Sequence, residues 1–162
     1  MLWEYKDRGK KGYDLTEKFF AMFRSAFPDL PLSGPERAGK DVRLGDVFPG
    51  YPEVNRPVDF IVRSTDGSEV LAVGLARYDS DRGGAQEDDR TGGYRHCAAE
   101  ILDYARKKGL RTKVIFINDG PGLLLGSMWE DYGSLEKSRA GKILVATLRM
   151  VPERITREWL ES

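Results

Sequence analysis

This 162-residue chain has a single cysteine, a single histidine and no surplus of either charge. With only Cys97, an internal disulfide and any cysteine-based zinc cluster are excluded, a usage that fits a reducing compartment. Lys plus Arg (26) balance Asp plus Glu (26), so no global field draws the chain toward nucleic acid or membrane. Any nucleic-acid contact must then come from a local patch or a partner subunit. No apolar run approaches the roughly 18 residues that suggest a membrane span. The opening "MLWEYKDRGKKGY" is charged and lacks the apolar core of a signal peptide. These absences lead us to expect a soluble cytoplasmic protein. Its length leads us to expect one domain, spanning 1–162 and burying about 68–70% of the unfolded surface.

Periodicity supplies the elements. In "DLTEKFFAMFRSAF" (14–27), Asp14 is a candidate N-cap with Glu17 at the capping-box spacing. Leu15, Phe19, Met22, Phe23 and Ala26 follow helical spacing, and Pro28 stops the run. Residues 28–56, rich in Pro and Gly, read as a long loop with one short strand near Asp41–Val47. "YRHCAAEILDYARKKG" (94–109) places Cys97, Ala98, Ile101, Leu102 and Ala105 on one helix face, with Gly109 as its stop. "TKVIFIND" (112–119) is β-branched and continuous, as in a strand covered on both faces. Ser127 and Glu130 are positioned to cap a helix through about Lys137. "KILVATLRM" (142–150) reads as another buried strand, and Pro152 suits the first turn of a final helix ending near Leu160. The order predicts an α/β fold: a central mixed sheet with a three-strand meander, flanked by helices.

Between these elements, "PVDFIVRSTDGSEVLAVGLARYDS" (57–80) reads as a hairpin, because Asp66-Gly67 suits a type I′ turn. With those two residues as the loop, partner numbers add to 133 throughout, so Asp59 falls across from Gly74 and diagonal to Ala76. Val58, Phe60, Val62, Leu71, Val73 and Leu75 then share a core face. Asp59, Ile61, Gly74, Ala76 and Tyr78 share the other. A buried unpaired carboxylate is costly, so beside two nearly bare positions Asp59 requires a cation, an Arg or a metal, unless it simply bonds a neighbouring backbone group. Glu69 lies on the opposite face, roughly 16 Å along the strand.

The hairpin runs into "RYDSDRGGAQEDDRTGGY" (77–94), where acids alternate with Arg77, Arg82 and Arg90 between two Gly pairs. As a loop, this stretch is able to turn back sharply at its glycines and return a carboxylate to Asp59. Two such acids suit oxygen-coordinated Mg²⁺ completed by water and phosphate oxygens, the arrangement used for phosphodiester hydrolysis. The plainer alternative is a solvated mixed-charge loop.

The chain resembles the PD-(D/E)XK nuclease superfamily, the restriction-endonuclease-like fold, over roughly residues 14–119. "PVD" corresponds to the family's "PD", which makes Asp59 the metal-binding acid. The second motif, acid-any-Lys, falls on Gly74-Leu75-Ala76, where both the acid and the lysine are missing. The resemblance therefore implies one of two outcomes: migrated catalytic roles, or lost catalysis by drift or engineering. It extends to the small cleavage subunits or domains of type IIS restriction enzymes, in which one subunit cuts one strand. The implied activity is Mg²⁺-dependent DNA endonuclease, with Mn²⁺ able to substitute. The alternative is a catalytically inactive interaction or DNA-specificity subunit. If the roles have migrated, Glu87 is the second metal ligand, Gln86 orients water, and Asp79 and Asp88 are the substitutes for Glu87. Arg82 or Arg90 meets the scissile phosphate, while Arg77 points to the core face unless a bulge turns it. The expected partners are double-stranded DNA and a larger recognition subunit or a second copy of the chain, with no membrane.

Other motifs carry less. "GPERAGKD" (34–41) nearly matches a Walker A loop, but Asp41 replaces its hydroxyl residue and no helix pattern follows. Lys40 is left as a DNA-backbone contact at most. His96, near a helix start, is a base or phosphate contact only if it is not simply a surface residue. Gly120 and Gly122 in "NDGPGLLLG" (118–126) read as turn chemistry, and Trp3, Trp129 and Trp159 as core or interface anchors.

Overall fold

The computed structural model describes residues 2–35, 41–78, 85–119 and 128–162, with backbone alone for 2–13, 85–92 and 128–129. The elements are α1 (Leu2–Ala26), β1 (Leu32–Ser33), β2 (Val42–Arg43), α2 (Leu44–Val47), β3 (Pro57–Val58), β4 (Phe60–Arg63) and β5 (Val70–Tyr78). They continue with α3 (Ala85–Lys107), β6 (Lys113–Asp119), α4 (Met128–Ser138), β7 (Ile143–Ala146), α5 (Val151–Arg154) and α6 (Arg157–Glu161). Five strands form a mixed sheet in the order β1-β4-β5-β6-β7. β1, β4 and β5 pair antiparallel, and β5, β6 and β7 pair parallel.

Both faces of this sheet are covered. On one, α1 lays Leu15, Phe19, Phe20 and Phe23 against Phe60, Val62, Leu71, Ile115 and Ile117, joined by Val151 and Leu160 from the C-terminal helices. On the other, Tyr94, Cys97, Ala98 and Ile101 of α3 and Tyr132 and Leu135 of α4 meet Ile61, Val73, Val114, Phe116 and Val145. The alternation along β6 between the two clusters is why its sequence is apolar at consecutive positions.

Several boundaries depart from the sequence expectations. Helix α1 begins at Leu2, so Asp14 sits inside it rather than capping it. The intervening Lys, Arg, Glu and Asp residues include good helix formers that let the helix extend beyond its apolar stripe. The meander's first strand is β1, not the 41–47 stretch. Instead, β2 pairs with β3 in a separate two-stranded ribbon, and Leu44–Val47 is a helical turn. The strand expected over 142–150 ends at Ala146 and passes into a 3-10 turn at Leu148–Met150. The final helix is divided in two, with Pro152 in the first turn of α5 and Thr156 capping α6 through Trp159 N–H at 3.1 Å.

The hairpin turn is also wider than a type I′ turn. Ser64 N–H donates to Glu69 O (2.9 Å), and Gly67 N–H donates to Ser64 O (2.8 Å). Within this turn only Gly67 has positive φ, at 77°. Asp66 instead wraps the loop through its side chain, accepting from Ser68 N–H at 3.0 Å and from the Ser64 and Ser68 hydroxyls at 2.7 Å each. Numbers add to 133 at Arg63↔Val70, but Leu71 is then an extra residue, so Val62 pairs with Ala72, Ile61 with Val73 and Phe60 with Gly74. This one-residue slip redistributes the side chains between the faces. Phe60 and Val62 share the α1 side with Ala72 and Ala76, while Ile61 joins Val73 and Leu75 under α3.

Candidate functional site: the strand break at Asp59

Asp59 lies between β3 and β4, where the chain leaves β5 to pair with β2. Its N–H donates to Gly74 O at 2.9 Å, although Gly74's register partner is Phe60. Two residues thus oppose one, the signature of a β-bulge. Beyond the break, Ala76 N–H donates to the Asp59 side chain, at 2.7 Å from Oδ2. The carboxylate therefore stands in for a missing strand carbonyl through a charge-assisted bond. Its pKa is held above the ordinary 3.8, chiefly by burial. The Asp41 charge adds to the shift, while the Ala76 N–H and Arg77 act against it.

The space expected beside Gly74 for a cation or a returning acid is occupied. A Cβ built on Gly74 would lie 1.9 Å from Phe60 Cζ, so the fully buried ring covers this position. Phe60 is itself packed between Phe19 and Phe20, with centroids 4.7 and 6.1 Å away. Gly74 is thus small because an aromatic ring crosses it, and Ala76 packs against the same α1-side cluster.

Around Asp59 stand other polar groups. The β2–β3 ribbon pairs Val42 with Val58 and Arg43 with Pro57, so its next step brings Asp41 toward Asp59. Exposed Arg77, beside Asn118 in the parallel register, holds its guanidinium 5.5 Å over the Tyr94 ring. Tyr94 OH donates to Asn118 Oδ1 at 3.4 Å. All lie toward the carboxyl ends of β5 and β6, where α/β sheets commonly bind ligands. Among the described residues no group of three or more His, Cys, Asp or Glu side chains could hold a metal. Asp59 and Asp41 do offer hard oxygen donors, and a divalent cation would relieve the Asp41 like-charge contribution that adds to the effect of burial on the Asp59 pKa. That donor set fits Mg²⁺, which retains several waters and takes one or two carboxylates.

The other residues named from sequence fare differently. Gln86, Glu87 and Arg90 belong to the first turns of α3. They are therefore not part of a loop folded back at glycines, because Gly92 and Gly93 continue the helix. Glu87 precedes Tyr94 by seven residues, two helical turns. Arg82, Lys40, Gly120 and Gly122 lie outside the described residues, as does Asp79; Asp88 is in α3. His96 is an exposed residue 3.7 Å from Glu100, whose carboxylate is already engaged by Arg56 (2.8 and 3.1 Å) and Tyr51 (2.7 Å). Sequence reading missed Asp41 and Asn118. The mirrored "DVR" (41–43) and "PVD" (57–59) were the available signal for Asp41. Asn118 offered none beyond a polar residue near the end of an apolar strand.

The chain matches no protein-family model and no curated protein sequence. Among the described residues no helix is long and apolar enough to cross a membrane.

Proposed function

We propose that this chain is a Mg²⁺-dependent DNA endonuclease subunit or cleavage domain with a restriction-endonuclease-like core. The observation that carries this reading is Asp59. It is a half-buried acid with raised pKa at a strand break, near a second acid, toward the carboxyl ends of parallel strands. The element order, antiparallel β1-β4-β5 followed by α3 and a parallel β6, supports the family resemblance. Asp59 and Asp41 would hold the metal, with Glu87 of α3 as the further acidic ligand and Gln86 as the water-orienting residue. When bound, the ion would supply an activated water and stabilise charge developing on the scissile phosphate. The protein's own part is to fix Asp59 through Ala76 N–H and to keep Oδ1 available, since the described residues give that oxygen no hydrogen-bond partner. Neutral net charge supports action with a DNA-recognising partner or as a dimer.

One observation favours a second reading, an inactive nuclease-fold interaction or specificity subunit. Asp59 already has a structural task at Ala76 N–H, and Gly74 and Ala76 carry no acid or lysine. Supercoiled plasmid incubated with Mg²⁺ and the chain, alone and with a recognition subunit, separates the two. The nuclease reading expects nicking that disappears in Asp59→Ala and Asp41→Ala. Undiminished nicking in Glu87→Ala removes Glu87 from the site, and no nicking under any condition favours the second reading.

A further inference from the structure

We infer that Arg77 and Asn118, donors from adjacent parallel strands, form an oxyanion site that takes a phosphate of the nucleic-acid backbone. The inference rests on the proposed function for the identity of the ligand, and on geometry for the site. Arg77 is exposed and makes no ion pair or hydrogen bond among the described residues. Its guanidinium is nevertheless positioned, 5.5 Å over the ring of Tyr94. That ring is itself fixed, buried and stacked on Phe116 at 4.5 Å. A planar fork held over an aromatic ring, with no hydrogen bond among the described residues, is matched to a phosphate or carboxylate, which it binds bidentately.

Asn118 supplies an independent observation. It is Arg77's neighbour in the β5–β6 register and has no solvent exposure. Its Nδ2 is the one buried side-chain nitrogen or oxygen among the described residues without a hydrogen-bond partner. Its Oδ1 is turned to Tyr94 OH. Leaving a buried donor unsatisfied is costly and rare in native proteins, and an acceptor arriving at the carboxyl ends of β5 and β6 would satisfy it. Tyr94 thus touches both donors, bracing one through its ring and orienting the other through its hydroxyl.

Duplex oligonucleotide binding, followed by fluorescence anisotropy in EDTA over a salt series, tests this without reference to cleavage. Arg77→Gln is expected to weaken binding about tenfold and to reduce the salt slope by about one, the loss of one phosphate contact. Asn118→Leu, which removes the neutral donor and keeps the branching and heavy-atom count of the side chain, is expected to weaken binding with the slope unchanged. Urea unfolding of each variant establishes that it is folded. Unchanged affinity and slope in folded Arg77→Gln overturns the site. So does protection of wild type by inorganic phosphate with no duplex binding, which would indicate a small-anion pocket. Arg77-dependent binding by a chain that never nicks DNA supports this site and removes the nuclease reading. Asp59-dependent nicking with Arg77-independent binding does the reverse.

Discussion

Gly74→Ala is the substitution that most directly tests the strand register. Its Cβ would stand 1.9, 2.1 and 2.3 Å from Phe60 Cζ, Cε2 and Cε1. Carbon atoms in contact prefer about 3.5–4.0 Å, so the ring would have to withdraw by about 1.5 Å. It has nowhere to go. Phe60 is fully buried, and Phe19 and Phe20 of α1 flank it. Overpacking of this kind costs about 1–3 kcal/mol, and the immobility of the flanking rings places Gly74→Ala at the upper end. Phe60→Ala should cost about 3–5 kcal/mol as a cavity. The double variant should cost less than the sum, because the new methyl enters space the ring has left, with a coupling of about 1–3 kcal/mol. Urea denaturation of the four proteins at constant m-value measures this cycle. If Gly74→Ala lies within about 0.5 kcal/mol of the parent, or the two changes are additive, Phe60 does not cross Gly74. The hairpin would then keep the register implied by a two-residue turn.

Two further predictions concern pH. Folding holds the Asp59 carboxyl above its ordinary 3.8, mainly by burial, so the folded state keeps that proton more tightly than the unfolded chain. The resulting stability is present below 3.8 and is lost as pH rises through the folded-state value. Asp59→Asn should therefore gain stability relative to wild type as pH rises across this window; a pH-independent difference in denaturation midpoint would contradict it. Lys113 is buried, with Nζ on the carbonyls of Ser162 (2.8 Å), Leu160 (3.4 Å) and Arg111 (3.4 Å). Burial brings its pKa from 10.5 down to about 8, with the Lys142 and Arg111 charges adding to the shift. Its contribution is complete above 10.5 and is lost as pH falls through about 8, so wild type should gain on Lys113→Met between those values. Parallel stability curves would refute the assignment.

What the sequence determined by itself is what depends on neighbours along the chain. The helical spacing of Cys97, Ala98, Ile101 and Leu102, the continuous apolar run of β6 and the position of Pro152 each specify a local element. The structure bears out the sheet flanked by helices that they imply. The position of Asp59 beside Gly74 and Ala76 was also legible, since both residues are its hydrogen-bond partners. What surrounds them was not. The extra residue at Leu71 and the break at Asp59 are decided by how Phe60 fits between Gly74 and the aromatic residues of α1, and by β3 turning away to pair with β2. Those contacts join residues from 14 to 41 positions apart, and a single inserted residue reverses which side chains share a face. Local periodicity has no access to that choice, and only the packed tertiary structure makes it.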